Sequence, residues 1–202
     1  MSRQAAIIDV AVVGGMSLIY LVFEALDVAK RWSFAAVGVA LGIYALFLIR
    51  RRTHSLREMG LRWDNLRAGL VPIGICTIGA GGGAVFWALA RGPAVWDSDV
   101  LLLLLLYPAW ALVQQLGFQG LLHRGLMTLV PSSTLQVLLT AAAFASVHVG
   151  NRALVALTFA GGLMWSILYR RWPNLWLLAA SHSILAALVY PLVLGDVPLT
   201  RV

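Results

Sequence analysis

Several polar side chains occur in a segment of the chain that is otherwise apolar. Residues 110–125, WALVQQLGFQGLLHRG, contain Gln114, Gln115, Gln119 and His123. Polar groups at the depth of a lipid bilayer are costly, so they usually face other helices and have a function. On an α-helix, Gln115, Gln119 and His123 share one face, because each is four residues from the next. Such a cluster can either orient water and a carbonyl group or hold helices together by hydrogen bonds.

Two more histidines lie in apolar segments, His148 in FASVHVGN and His182 in LAASHSIL. A neutral imidazole can accept a proton near neutral pH, so His148 is a candidate general base and His182 a candidate electrostatic or oxyanion partner, although a lone membrane histidine is more often a packed hydrogen-bonding residue. If the chain reverses near Pro131, Gln115 and His148 are each about 16 residues, or roughly 25 Å, from the turn. They would then lie at the same depth on neighbouring helices. Straight helices would leave His182 about 10 Å shallower, so a tilt or bend is needed to bring it level.

The elements that carry these residues are predicted from composition and hydropathy. Of the 202 residues, 61% are hydrophobic and 11% are charged, whereas about 25% are charged in an ordinary soluble domain. Since a membrane-spanning helix needs about 20 apolar residues, the chain is predicted to be an all-α, multi-pass membrane protein. Seven spanning helices are expected, at about 5–28, 33–49, 68–90, 100–129, 134–149, 153–169 and 174–194.

One membrane domain, 1–202, is expected, with two transmembrane helices in 1–50 and a helical core in 68–195. Between them, apolar residues recur every three or four positions, at Leu56, Met59, Trp63, Leu66 and Leu70. This period predicts an amphipathic helix over 54–67 that lies on the membrane surface. Such a helix is either a plain linker or a regulatory or lipid head-group site.

The net charge of +7 does not indicate nucleic-acid binding, because the arginines fall between apolar segments rather than along one face. Alternating the seven spans puts ten arginines on one side: Arg3, Arg50, Arg51, Arg52, Arg57, Arg62, Arg67, Arg124, Arg170 and Arg171. The other side has Lys30, Arg31, Arg91, Arg152 and Arg201, together with Asp97 and Asp99. The positive-inside rule therefore predicts a cytoplasmic N-terminus.

No metal or other cofactor is predicted. The single cysteine, Cys76, cannot form an intrachain disulfide or a thiolate cluster. His148 and His182 alone supply too few strong ligands for a stable zinc site. No Asp or Glu occurs between Val100 and Gly195, so the core helices contain no acid.

The polar motifs and their spacing resemble the CAAX-protease and bacteriocin-processing family, also called the Abi family, which includes type II CAAX prenyl endopeptidases. That family has EExxxR, then FxxxH, then a histidine followed four residues later by a polar residue. Here QQLGFQ, residues 114–119, takes the first place, Phe144 to His148 match the second, and His182 to Ala186 take the third. The segment SLREMGLRWDNLRAGL is also similar to the family's lead-in, and the resemblance covers roughly residues 54–190.

The resemblance implies a multi-pass protein of a bacterial inner or cell membrane that acts on a membrane-embedded or lipidated peptide. It assigns the catalytic positions to Gln114, Gln115, Gln119, His148 and His182, and substrate contacts to Phe118, His123, Phe144 and Asn151. In the family, glutamate and histidine activate the water that attacks the peptide. An amide cannot accept that proton, and loss of a general base costs about 10²–10⁴ in rate. Standard glutamate-based proteolysis is therefore not expected here.

Two classes of function remain open. The chain is either an intramembrane hydrolase, with His148 as base and Glu24 of the first helix as a possible replacement carboxylate, or a non-proteolytic relative. A non-proteolytic relative would bind a transmembrane or lipid ligand in a chaperone or immunity role, or would modify a lipid. Both classes place the ligand in the neutral pocket of glutamines and histidines.

Overall fold

The computed structural model describes residues 1–26, 30–91 and 98–195. Asp97 and Arg201, which enter the charge comparison, lie outside these residues. The α-helices are α1 (Arg3–Ala25), α2 (Lys30–Arg50), α3 (Leu66–Arg91), α4 (Ser98–Gln115), α5 (Arg124–Leu129), α6 (Ser133–Ser146), α7 (Arg152–Arg171) and α8 (Leu175–Val189). Two π-helical segments continue them: π1 (Leu116–His123) joins α4 to α5, and π2 (Tyr190–Leu194) follows α8.

The prediction of an all-α, polytopic membrane protein is confirmed. Four described helices are long and apolar enough to cross a membrane: Arg3–Ala25, Leu66–Arg91, Arg152–Arg171 and Leu175–Leu194. Two shorter apolar helices cover 35–50 and Ser133–Ser146, and α4, π1 and α5 form one continuous helical run. Many large apolar side chains, such as Ile78 and Leu89, point outward, as expected where lipid is the solvent.

Small residues allow two pairs of helices to approach closely. A Cβ atom on Gly125 of α5 would lie 2.7 Å from Val10 Cγ2 and 3.1 Å from the carbonyl oxygen of Ala6, both in α1. A Cβ atom on Gly162 of α7 would lie 2.9 Å from the Cα atom of Ala141 in α6. Close backbone contact of this kind is the usual way in which helices associate in membranes.

Between α2 and α3 the chain forms a series of turns, residues 51–65, that we call the strap. It starts like a helix: the Ser55 hydroxyl accepts from the Glu58 amide at 3.2 Å, and the Glu58 carboxylate accepts from the Ser55 amide at 2.7 Å. The turn ends at Gly60, whose φ of +93° is outside the helical range. The Gly60 carbonyl accepts from the Leu175 amide at 2.8 Å.

The amphipathic helix predicted over 54–67 is therefore wrong, since the chain between α2 and α3 forms turns and α3 begins only at Leu66. The apolar spacing was real, but tertiary contacts override it. Met59 is fully buried, and its carbonyl accepts from the Tyr169 hydroxyl at 3.0 Å. Asn174 donates to the Arg62 carbonyl at 2.8 Å. These bonds tie the strap to the connection between α7 and α8.

The strap also covers π1 at Gly120. A Cβ atom there would lie 2.9 Å from the Met59 carbonyl oxygen and 3.1 Å from Leu175 Cδ1. Because backbone must move to make room, we expect Gly120→Ala to lower the free energy of unfolding by about 1–3 kcal/mol. Thermal unfolding in detergent measures this change.

A matched control for that substitution is Gly79→Ala in α3, where a new Cβ atom meets nothing within 4 Å. There alanine should be neutral or stabilising by up to about 1 kcal/mol, because it favours the helix more than glycine does. Equal unfolding temperatures for Gly120→Ala and the unsubstituted protein would contradict the close contact between strap and π1.

Contacts across the strap bring the predicted group of arginines to one end of the bundle, here called the arginine-rich end. Arg124 Nη2 lies 3.7 Å from Glu58 Oε1. Hydrogen bonds from the amide and hydroxyl of Ser55 lower the pKa of Glu58, so its carboxylate is an anion beside Arg124. Arg170 donates to the side-chain oxygen of Gln136 near the start of α6. Which side of the membrane this end faces stays a prediction.

Candidate functional site

The glutamine motif spans the junction of α4 and π1. A π-helix has i→i+5 hydrogen bonds and often occurs at functional sites. The side chains of Gln115, Gln119 and His123, predicted to share one face, are all buried. These three polar side chains reach three different neighbouring helices. Gln115 meets His182 of α8, Gln119 meets Ser166 of α7, and His123 meets Thr140 of α6.

His182 is buried between two polar neighbours. Gln115 Nε2 lies 3.5 Å from His182 Nδ1, and the Tyr107 hydroxyl lies 3.3 Å from His182 Nε2. An amide nitrogen can only donate and a neutral imidazole has one donor and one acceptor nitrogen, so Gln115 donates to Nδ1 and the Nε2–H group donates to the Tyr107 hydroxyl. Both nitrogens of His182 are thus engaged within the protein.

The ring of Phe144 connects the two histidines. Its centroid lies 5.1 Å from that of His148 and 5.6 Å from that of His182, and both contacts are edge-on. Phe144 lies in α6, whereas His148 lies in the turn that follows it. One aromatic ring therefore contacts both imidazoles. Phe118 and Trp165 also pack edge-on against Phe144, at 5.1 and 5.7 Å.

His148 has a defined tautomer. Its Nδ1 atom lies 2.9 Å from the Phe144 carbonyl oxygen, which can only accept, so Nδ1 carries the proton in the neutral ring. The lone pair is then on Nε2. Of the two predicted catalytic histidines, His148 is the one whose arrangement leaves an imidazole nitrogen free to accept a proton from water.

The three glutamines share one unusual feature. The Oε1 atoms of Gln114, Gln115 and Gln119 are all buried and have no hydrogen-bond partner within the part of the chain that the structure describes. Buried polar atoms without partners are rare and point to a missing donor. A ligand or water molecule that offers N–H or O–H groups would satisfy these oxygens.

Two of the predicted substrate contacts have structural partners instead. His123 is fully buried, and its Nδ1 atom lies 2.7 Å from the Thr140 hydroxyl, which itself donates to the Gln136 carbonyl at 2.9 Å. Asn151 accepts from the Leu154 amide at 3.1 Å and so caps α7. Phe118 and Phe144, in contrast, lie against the histidines or against each other, as described above.

Residues missed by the sequence argument also surround His182. Tyr107 contributes the hydroxyl already described, and its position eight residues before Gln115 in an apolar span was the available signal. Trp165 lies 4.4 Å from His182 between ring centroids. The Trp165 indole donates to the Ser181 hydroxyl at 3.1 Å, which holds the indole in place.

A second buried polar cluster, also missed, lies at the arginine-rich end. Asp9 of α1 accepts from the Tyr44 hydroxyl at 2.8 Å and lies 2.7 Å from His54 Nε2 in the strap. Asp9 and His54 are only 1% and 2% exposed. The signal in the sequence was an acid inside an apolar helix, which normally has a buried partner.

Glu24, the proposed replacement carboxylate, is partly exposed in α1 near Tyr20, and its part in the site stays a prediction. Among the described residues, no three His, Cys, Asp or Glu side chains are arranged to hold a metal ion.

Comparison with known proteins gives one match. Residues 95–188 match the family model described as type II CAAX prenyl endopeptidase Rce1-like. No curated protein and no solved structure matches the chain. The matched segment contains α4 to α8 together with all nine predicted site residues, and the resemblance predicted from the sequence motifs is confirmed.

Proposed function

Starting from the likeness of residues 95–188 to the Rce1-like type II CAAX prenyl endopeptidases, we propose that this protein binds a membrane-embedded or lipidated peptide without glutamate-based cleavage. The scaffold is like that of an intramembrane protease. The proposed binding site consists of Gln114, Gln115, Gln119, His148 and His182. By the positive-inside rule, the arginine-rich end faces the cytoplasm.

The contact between Gln115 and His182 carries this proposal. At 3.5 Å, the Gln115 amide stands beside the imidazole, where a carboxylate would be needed to take a proton from water. The amide has no basic lone pair at neutral pH, and no acid occurs between Val100 and Gly195. The unpaired Oε1 atoms of the three glutamines favour binding, because peptide N–H groups are suitable donors for them.

Removal of the Gln115 amide tests the binding role. We expect Gln115→Leu to weaken binding of a prenylated peptide about tenfold, since one hydrogen-bonding amide in a membrane site contributes about 1–2 kcal/mol. Binding is measured by fluorescence anisotropy of a labelled peptide with the full chain in lipid nanodiscs. Peptide incubated with the unsubstituted protein should remain intact.

The matched control is Gln4→Leu, the same substitution at an exposed position of α1. It should leave the affinity unchanged. Equal affinity for Gln115→Leu and Gln4→Leu would remove Gln115 from the binding site. Steady cleavage of the peptide by the unsubstituted protein would reject the proposal of binding without hydrolysis.

A second candidate, slow hydrolysis with His148 as base, is favoured by the free Nε2 atom of that ring. In that case His148→Ala should abolish the cleavage of a reporter peptide while the unfolding temperature is retained. Cleavage that is unaffected by His148→Ala would exclude this candidate.

A further inference from the structure

The outer faces of α6 and α7 border a cavity that contains none of the site glutamines or histidines. Its volume is about 600 Å³, and it lies between the beginning of α6 and the end of α7, at the arginine-rich end. It opens away from the bundle, since Leu138 and Ile167 on its wall are 42% and 58% exposed. In a membrane, this opening faces lipid.

One half of the cavity is cationic and rich in hydrogen-bond donors. Its lining there consists of Arg170 and Arg171 from the end of α7 and Ser133 and Thr134 from the first turn of α6. The Ser132 hydroxyl caps this turn by accepting from the Leu135 amide at 3.3 Å, and the positive end of the helix dipole favours an anion. Arg170 is held by the side-chain oxygen of Gln136, so its position at the cavity is determined by α6 itself.

The other half of the cavity is apolar. It is lined by Val137 and Leu138 of α6 and by Leu163 and Ile167 of α7. These residues lie one to two turns deeper than the arginines. The cavity therefore changes from cationic to apolar along the helix axes, as a phospholipid changes from its phosphate to its acyl chains.

We propose that this cavity binds an anionic glycerophospholipid. The phosphate lies at Arg170, Arg171 and the first turn of α6, and one acyl chain lies along the apolar half. Within the described residues neither arginine forms an ion pair, and the two acids of the strap, Glu58 and Asp64, pair with other arginines. Basic pockets between transmembrane helices are typical sites for the head groups of anionic lipids.

The test is a lipid titration of the full chain in detergent, with bound lipid counted by native mass spectrometry. Phosphatidylglycerol is the probe, and phosphatidylcholine is the neutral comparison. We expect one phosphatidylglycerol to bind in preference to phosphatidylcholine. The double variant Arg170→Gln, Arg171→Gln should lower its affinity about thirtyfold.

Two further variants separate this site from general surface charge. Arg50→Gln with Arg51→Gln removes the same charge from exposed positions at the same end and should leave the affinity unchanged. Ile167→Trp fills the apolar half, keeps both arginines, and should also weaken phosphatidylglycerol binding. Because Ile167 is exposed, the fold is expected to tolerate this change even if the arginine variant is unstable.

Three results would overturn the proposal. These are equal binding of the two lipids, an equal loss of affinity in the Arg50 and Arg51 variant, and displacement of the lipid by millimolar inorganic phosphate. The last result would indicate a simple anion site without a contribution from the acyl chain.

Discussion

A variant with Gln114→Glu, Gln115→Glu and Gln119→Arg is expected to cleave a prenylated reporter peptide about 10²–10⁴ times faster than the unsubstituted protein. This is the range that a general base usually contributes. A carboxylate at position 115 would take the place of the amide beside His182 and could accept a proton from water. The arginine at position 119 would compensate the two new charges, which would otherwise be buried without a partner.

Two controls make this expectation specific. Adding His148→Ala to the triple variant should abolish the gained activity, because the imidazole at the site is then lost. The variant with both glutamates but without the arginine should unfold at a lower temperature, since it buries two uncompensated carboxylates. Cleavage is measured as release of the labelled fragment in nanodiscs. A folded triple variant that binds the peptide and leaves it intact would show that the scaffold is not competent for this chemistry.

Asp9→Ala is expected to lower the free energy of unfolding by about 3–5 kcal/mol, the range found when one partner of a buried pair is removed. The Asp9 carboxylate lies 2.8 Å from the Tyr44 hydroxyl and 2.7 Å from the buried His54 Nε2. The substitution leaves both groups without this partner. Because α1 packs on α5 and π1, we expect the loosened packing of α1 to destabilise the glutamine motif as well. Thermal unfolding in detergent gives the shift.

The matched control is Asp64→Ala in the strap. Asp64 forms an ion pair with Arg57 at 2.8 Å, but its side chain is 46% exposed, and exposed pairs contribute only about 0–1 kcal/mol. The double variant Asp9→Leu, His54→Leu should recover part of the loss, since an apolar pair can replace a buried ionic one. An unfolding temperature for Asp9→Ala equal to that of Asp64→Ala would refute the role of the buried pair.

The helices were predictable because few backbone conformations are stable in the apolar interior of a bilayer. An apolar segment that enters lipid must satisfy its own amide and carbonyl groups, and a helix does so locally. Each of the seven predicted intervals contains helix, and the borders differ by a few residues. The strap was not predictable in the same way. Its spacing of Leu56, Met59 and Trp63 suits a helix, but the positive φ of Gly60 depends on contacts with residues more than a hundred positions later.

For the candidate site, residue types were predictable but directions were not. The sequence singled out the glutamines and histidines because they are costly in an apolar segment. It treated the segment as an α-helix, whereas Leu116–His123 is π-helical, and it did not show that Gln115, Gln119 and His123 contact three different helices. Local spacing does not distinguish the two helix types, since the π form is stabilised by packing around it. The meeting of Gln115 with His182 likewise depends on how α4 and α8 pack.

The cluster around Asp9 also bears on the order in which contacts form while the chain is being synthesised. During synthesis α1 leaves the ribosome before α2, while π1 and α5, on which α1 also packs, begin only at Leu116. Asp9, however, finds Tyr44 only 35 positions later and His54 only 45 positions later. The carboxylate can therefore form its hydrogen bonds as soon as α2 and the start of the strap have been synthesised. The hairpin of α1 and α2 can then remain in the bilayer with its buried acid hydrogen-bonded until π1 and α5 are synthesised.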